Sequence, residues 1–193
     1  MLREATFWRE YDLMAQSHAL HQQRHGLGAR ILLRSGFETL ATLIYLNLLT
    51  QQVIDGKLNF HLFGHKTTLL LLGSRSNEHM PRSINIITVL EKCDKRYPGL
   101  TELYADLSES AHPSFEGLCS GYSTINHDEY ETTFSNRWME LCGDKHISAM
   151  HLCMGTFHHE YDEVWSELFE QLERWIEKHD VELEATKGDL VPD

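Results

Sequence analysis

The segment "LYADLSESAHPSFEG", Leu103 to Gly117, spaces Tyr104, Ser108 and His112 four residues apart and sets Pro113 directly after the histidine. Four-residue steps share one edge of a helix, so a phenol, a hydroxyl and an imidazole line up there. Proline disfavours helical dihedrals at the residue before it, so the helix should stop at His112. An imidazole at a helix C-terminus lies in a field that favours its protonated form. Such a ring serves as an acid, a base or an anion contact. The plain alternative is a capping histidine packed under the following loop. A second pair, Arg34 and Glu38, is also four residues apart, on a stretch that is otherwise apolar. Charge in such a place needs a partner, a water-filled cavity or a narrow exposed stripe. If the two segments pack antiparallel, Arg34, Glu38, Tyr104, Ser108 and His112 face one another. A buried structural network is the equal alternative to a catalytic one.

Other chemistries are weaker. His18, His21 and His25 fall near one face of the first helix and offer a metal alternative, though such a row is more often a partly exposed helix edge. Glu109-x-x-His112 has the spacing of a carboxylate-bridged di-metal bundle, but that site needs a second such motif and two further glutamates. Ser108 inside a regular helix lacks the backbone donors that a hydrolase serine requires. There is no phosphate loop, dinucleotide-binding glycine pattern or thioredoxin motif, and no cofactor is expected. The "FHHEYDE" run reads as a solvated face.

The elements that must hold these residues are helical. Proline is scarce, with 4 in 193 residues. The first helix should run from Ala5 to His25, its stripe carrying Phe7, Tyr11, Met14 and the three histidines. "HGLG" should break it, because two glycines weaken a helix. The second should span Ala29 to Ile54, with Leu32, Leu33, Phe37, Leu40, Leu43, Ile44 and Leu48 on one broad face. "FHLFGHKTTLLLLG" is a third helix. Pro81 suits a first helical turn and predicts a fourth helix to Arg96, with Ile84, Ile87, Leu90 and Cys93 inward. A fifth runs from Leu100 to His112. From Pro113 to Lys145 the chain has turn residues throughout, so a long irregular loop is expected, with short helices at Phe115 to Cys119 and Asn136 to Leu141. The last helix carries an apolar stripe from Ile147 through Met150, Met154, Phe157, Tyr161, Leu168 and Leu172 to Ile176. The reading is one all-α domain over 1–183 and a flexible tail over 184–193.

The net charge of -12 argues against broad DNA or RNA binding, since phosphate backbones repel such a chain outside a local basic site. Arg34 and Glu38 inside the most apolar stretch argue against a membrane span. The N-terminus shows no basic segment before an apolar core, and the four cysteines have no C-x-x-C pairing. Free thiols and a cytoplasmic location are expected.

"ARILLRSGFETLATLIYL" (Ala29 to Leu46), followed by "LYADLSESAHPSFEG", resembles a family of bacterial proteins of the HEPN-like kind (higher eukaryotes and prokaryotes nucleotide-binding). The resemblance rests on an Arg-x-x-x-Glu helix and a Tyr-x-x-Leu-Ser-x-x-x-His segment. It implies a HEPN-like up-and-down helical bundle, commonly a homodimer, and in many members metal-independent RNA cleavage in stress or defence systems. On that implication His112 is the acid/base or phosphate contact, Arg34 neutralises phosphate and Glu38 orients Arg34. Tyr104 and Ser108 add hydrogen bonds to an RNA or nucleotide. The family's ribonucleases carry an arginine four to six intervening residues before the histidine. Here those positions are Ala105, Asp106 and Leu107. The rival reading is a non-catalytic, dimeric interaction or regulatory protein whose loop from Pro113 to Lys145 meets a partner.

Overall fold

The computed structural model describes residues 1–74, 76–77 and 79–187. Seven α-helices follow in order: α1 Leu2–Gln22, α2 Gly26–Ile54, α3 Phe60–Leu72, α4 Ile86–Asp94, α5 Leu100–Ala111, α6 Trp138–His158 and α7 Trp165–Ala185. The fold is all-α. Its core gathers on α2, which packs against all six other helices. Leu33, Phe37, Leu40, Ala41, Leu43, Ile44, Tyr45 and Leu49 of α2 are all buried. A helix apolar over most of its circumference is stable only when surrounded, and its short connections let the neighbours fold back along it. Ala41 and Tyr45, outside the one broad face read from the sequence, are buried as well.

The first break lies earlier than expected. α1 ends at Gln22, and Arg24 turns the chain with φ 62. Gly26 and Gly28 belong to the first turn of α2 rather than to the break. At Gly26 the absence of a side chain is needed for contact, because a Cβ would stand 2.9 Å from the Cβ of Trp138. On α1 the buried residues are Thr6, Glu10, Leu13, Met14 and Ser17, while Phe7 and Tyr11 are exposed. The stripe read from the sequence thus meets the core only at Met14 and otherwise lies one helical edge away.

Pro81 does not open α4. The backbone there is held extended, with Ser74 N–H donating to the Pro81 carbonyl at 2.8 Å and Ser83 N–H to that of Ser74 at 3.3 Å. The helix starts at Ile86, where Asn85 caps it through the Ile87 N–H. Val89, Leu90 and Cys93 point inward, and Ile87, expected inside, is exposed.

The segment after α5 is more ordered than its composition suggests. Ser114 caps a π-helical turn at Phe115–Ser120. A hairpin follows, β1 Ser123–Asn126 against β2 Glu131–Phe134, in the register Ser123 to Phe134. The Asn126 side chain accepts from the N–H groups of Asp128 and Glu129 and shapes the turn. The short helix expected at Asn136 to Leu141 is the start of α6, which begins at Trp138, well before Ile147. α6 and α7 join through a π-helical segment, His159–Val164, into one long final helix. Met154, expected on its inward stripe, is exposed. α7 continues to Ala185, so the flexible tail expected from 184 begins as helix, and its residues from 188 lie outside those described. Among the described residues no helix is long and apolar enough to cross a membrane, and all four cysteines are free.

The π segment has a reason. It brings Glu160, fully buried, into the core, where Oε2 accepts from Asn47 Nδ2 at 2.7 Å. Its Oε1 accepts from Tyr97 OH at 2.6 Å and pairs with Arg96 Nε at 2.8 Å. Burial and the Glu160 carboxylate push the Tyr97 phenol up. One carboxylate thereby ties α2, the end of α4 and the long final helix together. Removing the carboxylate leaves Asn47 without its acceptor in the core, and Tyr97 and Arg96 without theirs at its edge. Glu160→Ala is expected to cost about 3–5 kcal/mol in urea unfolding. A loss below about 1 kcal/mol would show that the cluster does not hold these helices.

Candidate functional site

Arg30, Arg34 and Glu38 follow one line along α2 at four-residue steps, and Tyr104, Ser108, Asp106 and Ser110 stand opposite on α5. The two helices run antiparallel, as Arg30 meets Asp106 and Ser110 while Glu38 meets Tyr104. Arg34 Nε donates to Ser108 Oγ at 2.8 Å and Arg34 Nη2 to Tyr104 OH at 2.5 Å. Tyr104 OH donates onward to Glu38 Oε1 at 2.8 Å, and Arg34 Nη2 lies 3.3 Å from the same oxygen. The guanidinium carbon is 4.9 Å from the centre of the Tyr104 ring. Tyr104 is buried, and burial first, then Glu38, raises its phenol above the usual tyrosine range. Four of the five residues expected at a site are therefore one hydrogen-bonded unit. Charge-assisted bonds of this kind are stronger than neutral ones, and they fix the orientation of the arginine fork.

This unit opens on a cleft of about 540 Å³. Arg34 and Glu38 form one wall with Thr39 and Thr42, and α1 supplies Arg9 and Thr6. Arg9 Nε donates to Thr39 Oγ1 at 3.1 Å. Leu70 and Leu71 of α3 and Ile86 close the apolar side. The three threonine hydroxyls send their protons to main-chain carbonyls, Thr6 to Arg3, Thr39 to Ser35 and Thr42 to Glu38. Thr6 and Thr39 are buried and Thr39 already accepts from Arg9, so Thr42, half-buried, is the hydroxyl left as an acceptor at the cleft. Two guanidinium groups beside hydroxyl and carboxylate acceptors suit a ligand that carries both an anionic group and N–H or O–H donors.

His112 is elsewhere. It is the C-cap of α5 with φ -91 and ψ 147, the extended conformation that the following proline demands. Its side chain is exposed and makes no hydrogen bond or ion pair with the described residues. It is not among the residues that line the Arg34 cleft. His112 and Arg34 form no hydrogen bond; the guanidinium meets Ser108, one turn earlier, and Tyr104. The π-helical turn then carries the chain away, with Gly117 against the His112 carbonyl, where a Cβ would not fit.

The histidine row also diverges. His18 bonds to Gln22 at 2.9 Å. His21 Nε2 donates to the Gly143 carbonyl at 3.1 Å and its ring stacks on His146 with centroids 5.1 Å apart. His25 lies beyond the end of α1 and precedes α2. Among the described residues no group of three His, Cys, Asp or Glu side chains is placed to hold a metal ion, and the turn at Arg24 sets His25 apart from the other two histidines.

Several buried polar residues escaped sequence reasoning. Arg30, which is 2% exposed, donates through Nε to Ser110 at 2.7 Å and through Nη2 to the Asp106 carboxylate at 2.9 Å. Its spacing of four before Arg34 was the available signal. Ser17 donates to the Ala29 carbonyl at 2.8 Å and lies 3.1 Å from His146 Nε2. Glu10 accepts from the Cys153 thiol at 3.2 Å, and its other oxygen has no partner. Glu10 and Ser17 share the buried edge of α1, which the neighbouring aromatics masked. Comparison with protein-family models, with curated proteins and with solved structures finds no match to this chain, so the site is read from its own geometry.

Two buried groups give opposite pH dependences. Burial raises the Glu10 carboxyl from 4.5 to about 7, against a smaller lowering by the Cys153 hydrogen bond. The folded state holds that proton more tightly than the unfolded chain, so stability falls as pH rises from 4.5 to 7. Burial lowers His146 from 6.5 to about 4, so its contribution is lost as pH falls from 6.5 to 4. Between 4.5 and 6.5 the two slopes oppose each other. Glu10→Gln should leave stability nearly unchanged at pH 4 and raise it by up to about 3 kcal/mol at pH 8. Urea unfolding at both pH values checks this, and an equal effect at both would contradict it.

Proposed function

We propose that this chain is a HEPN-like helical protein that acts on RNA or a nucleotide by gripping phosphate in the cleft between α1 and α2, in a bacterial stress or defence setting. One observation carries the reading: Arg34, already oriented by Tyr104, Ser108 and Glu38, opens on the same cleft as Arg9. A fork fixed before binding loses less freedom when it meets phosphate. Thr42 and Glu38 then accept from ribose hydroxyls or base amines. The cleft is local, so the overall charge of -12 does not forbid it. The reading is one of binding, since His112 lies outside the cleft and supplies no acid or base to a phosphate there.

A second reading, a non-catalytic and dimeric interaction protein, is favoured by the hairpin region. Phe115, Leu118, Ile125, Tyr130 and Phe134 are all exposed there, Tyr130 at 94%. Exposed apolar groups gathered in one region mark contact surfaces.

Titration of a fluorescent mononucleotide and a short RNA separates the two. Arg34→Ala should weaken binding by about tenfold or more, and Arg34→Lys nearly as much, since lysine lacks the fork. His112→Ala should bind as the parent does, and affinity should fall with salt. Unchanged binding in both Arg9→Ala and Arg34→Ala would overturn the cleft. RNA cleavage abolished by His112→Ala would overturn the restriction to binding.

A further inference from the structure

A second charged hollow lies on the same long helix, further toward its C-terminal end. It measures about 440 Å³ and sits between α2, α3 and the end of α4. α2 lines it with Tyr45 and Gln52, α3 with Lys66, and α4 and the turn after it with Lys92, Lys95 and Arg96. It shares no lining residue with the Arg34 cleft. The chain has 29 acidic and 17 basic side chains, yet this lining holds four cations and, among the described residues, no carboxylate. The acids nearby are engaged elsewhere. Asp94 accepts from the N–H groups of Gly99 and Thr101 and holds the start of α5. Glu160 is sealed in the core, where Arg96 reaches it through Nε at 2.8 Å and is neutralised in part. Glu91 is exposed on α4 and does not line the hollow. Among the described residues the lysine ion pairs are those of Lys57 and Lys187, so Lys66, Lys92 and Lys95 form none.

Tyr45 adds an independent observation. It is 2% exposed, and its hydroxyl oxygen accepts from Lys92 Nζ at 3.1 Å. The phenolic proton is left to donate, and no described residue accepts it. A buried hydroxyl with an unmet proton calls for an acceptor. Cations gather at helix C-termini because the last carbonyls attract them, which accounts for Lys92 and Lys95 at the end of α4. It does not account for Lys66, in the middle of α3, or for the Tyr45 proton.

We propose that this hollow binds a compact polyphosphate anion, two or three linked phosphates, either free or at the end of a nucleotide. The lysines, Arg96 and the Tyr45 O–H are all donors, and Gln52 can add its amide N–H. Lysines act as point charges and suit tetrahedral phosphate, whereas a planar carboxylate is better met by an arginine fork. One phosphate would leave most of the hollow and several cations unmet. The site is additional to the Arg34 cleft and does not rest on the reading of that cleft.

Calorimetric titration of inorganic tripolyphosphate into the full chain carrying Arg34→Ala, which disables the cleft, tests it; Arg9→Ala serves if circular dichroism shows that variant unfolded. Binding of one anion per chain at micromolar affinity is expected. Lys66→Ala and Lys92→Ala, each added to that background, should weaken it about tenfold, and Tyr45→Phe about threefold. Lys145→Ala, which removes a lysine of α6 outside the hollow, should change nothing. Citrate, a carboxylate anion of similar charge, should bind at least about tenfold more weakly. Adenosine triphosphate that binds more tightly than tripolyphosphate supports the proposal with a nucleotide tail as occupant, and equal or weaker binding supports it with a free polyphosphate. No binding of tripolyphosphate, equal binding of citrate, or an affinity unmoved by Lys66→Ala and Lys92→Ala in folded protein overturns it. The cleft is disabled throughout, so none of these results bears on the cleft.

Discussion

The structure depends on one constraint: α2 is buried over most of its circumference and still carries Arg30, Arg34, Glu38 and Asn47. An ionised or amide group in such a place costs several kcal/mol unless it is met. Four of the segments packed on α2 are set in register by a polar contact. α5 answers Arg30 and Arg34 through Asp106, Ser110, Tyr104 and Ser108. The π segment answers Asn47 through Glu160. α4 gives Lys92 to Tyr45 and the Cys93 thiol to the Ala41 carbonyl. α1 gives Arg9 to Thr39. Apolar burial supplies most of the stability, but it is not directional, and these contacts choose which alignment of the helices is used.

The same network connects packing to the proposed activity. Arg30 is sealed and wholly structural, while Arg34, one turn along, keeps an edge on solvent. It is held rigid by groups that also join two helices. α1 then separates two surfaces of different character. At ~100° per residue, Leu2, Ala5, Thr6 and Arg9 point to the polar cleft, and Phe7, Tyr11, Met14 and His18 fall roughly 160° away on an apolar groove. Glu10, Leu13 and Ser17 occupy the side between, against the core. Their burial leaves the Glu10 carboxyl up to about 7, so the helix that divides the two surfaces is itself tuned to pH.

Much of this was legible in the residues. Four-residue spacing placed Arg34 with Glu38 and Tyr104 with Ser108, and antiparallel packing of two such edges brings all four together. His112 satisfied the same spacing and still lies apart, because proline changes the backbone at the very residue that would have to reach. Periodicity also could not show which of two adjacent edges of α1 faces inward, since both carry large apolar groups. The hairpin was invisible for another reason: "STIN" and "ETTF" show little apolar alternation, and their side chains are mostly exposed. Arg30 and Glu160 look like surface charges in the sequence, and only their partners on distant helices make them interior ones.

The central claim is that Arg34 is a pre-set anion contact within a network that otherwise serves packing. A proton–nitrogen NMR spectrum of the arginine Nε–H groups, recorded while a mononucleotide is added, addresses it directly. The account predicts slowly exchanging signals for Arg30 and Arg34, both hydrogen-bonded at Nε. It also predicts that Arg34 and Arg9 shift on titration while Arg30 stays fixed. Nucleotide binding that moves neither Arg34 nor Arg9 would contradict it.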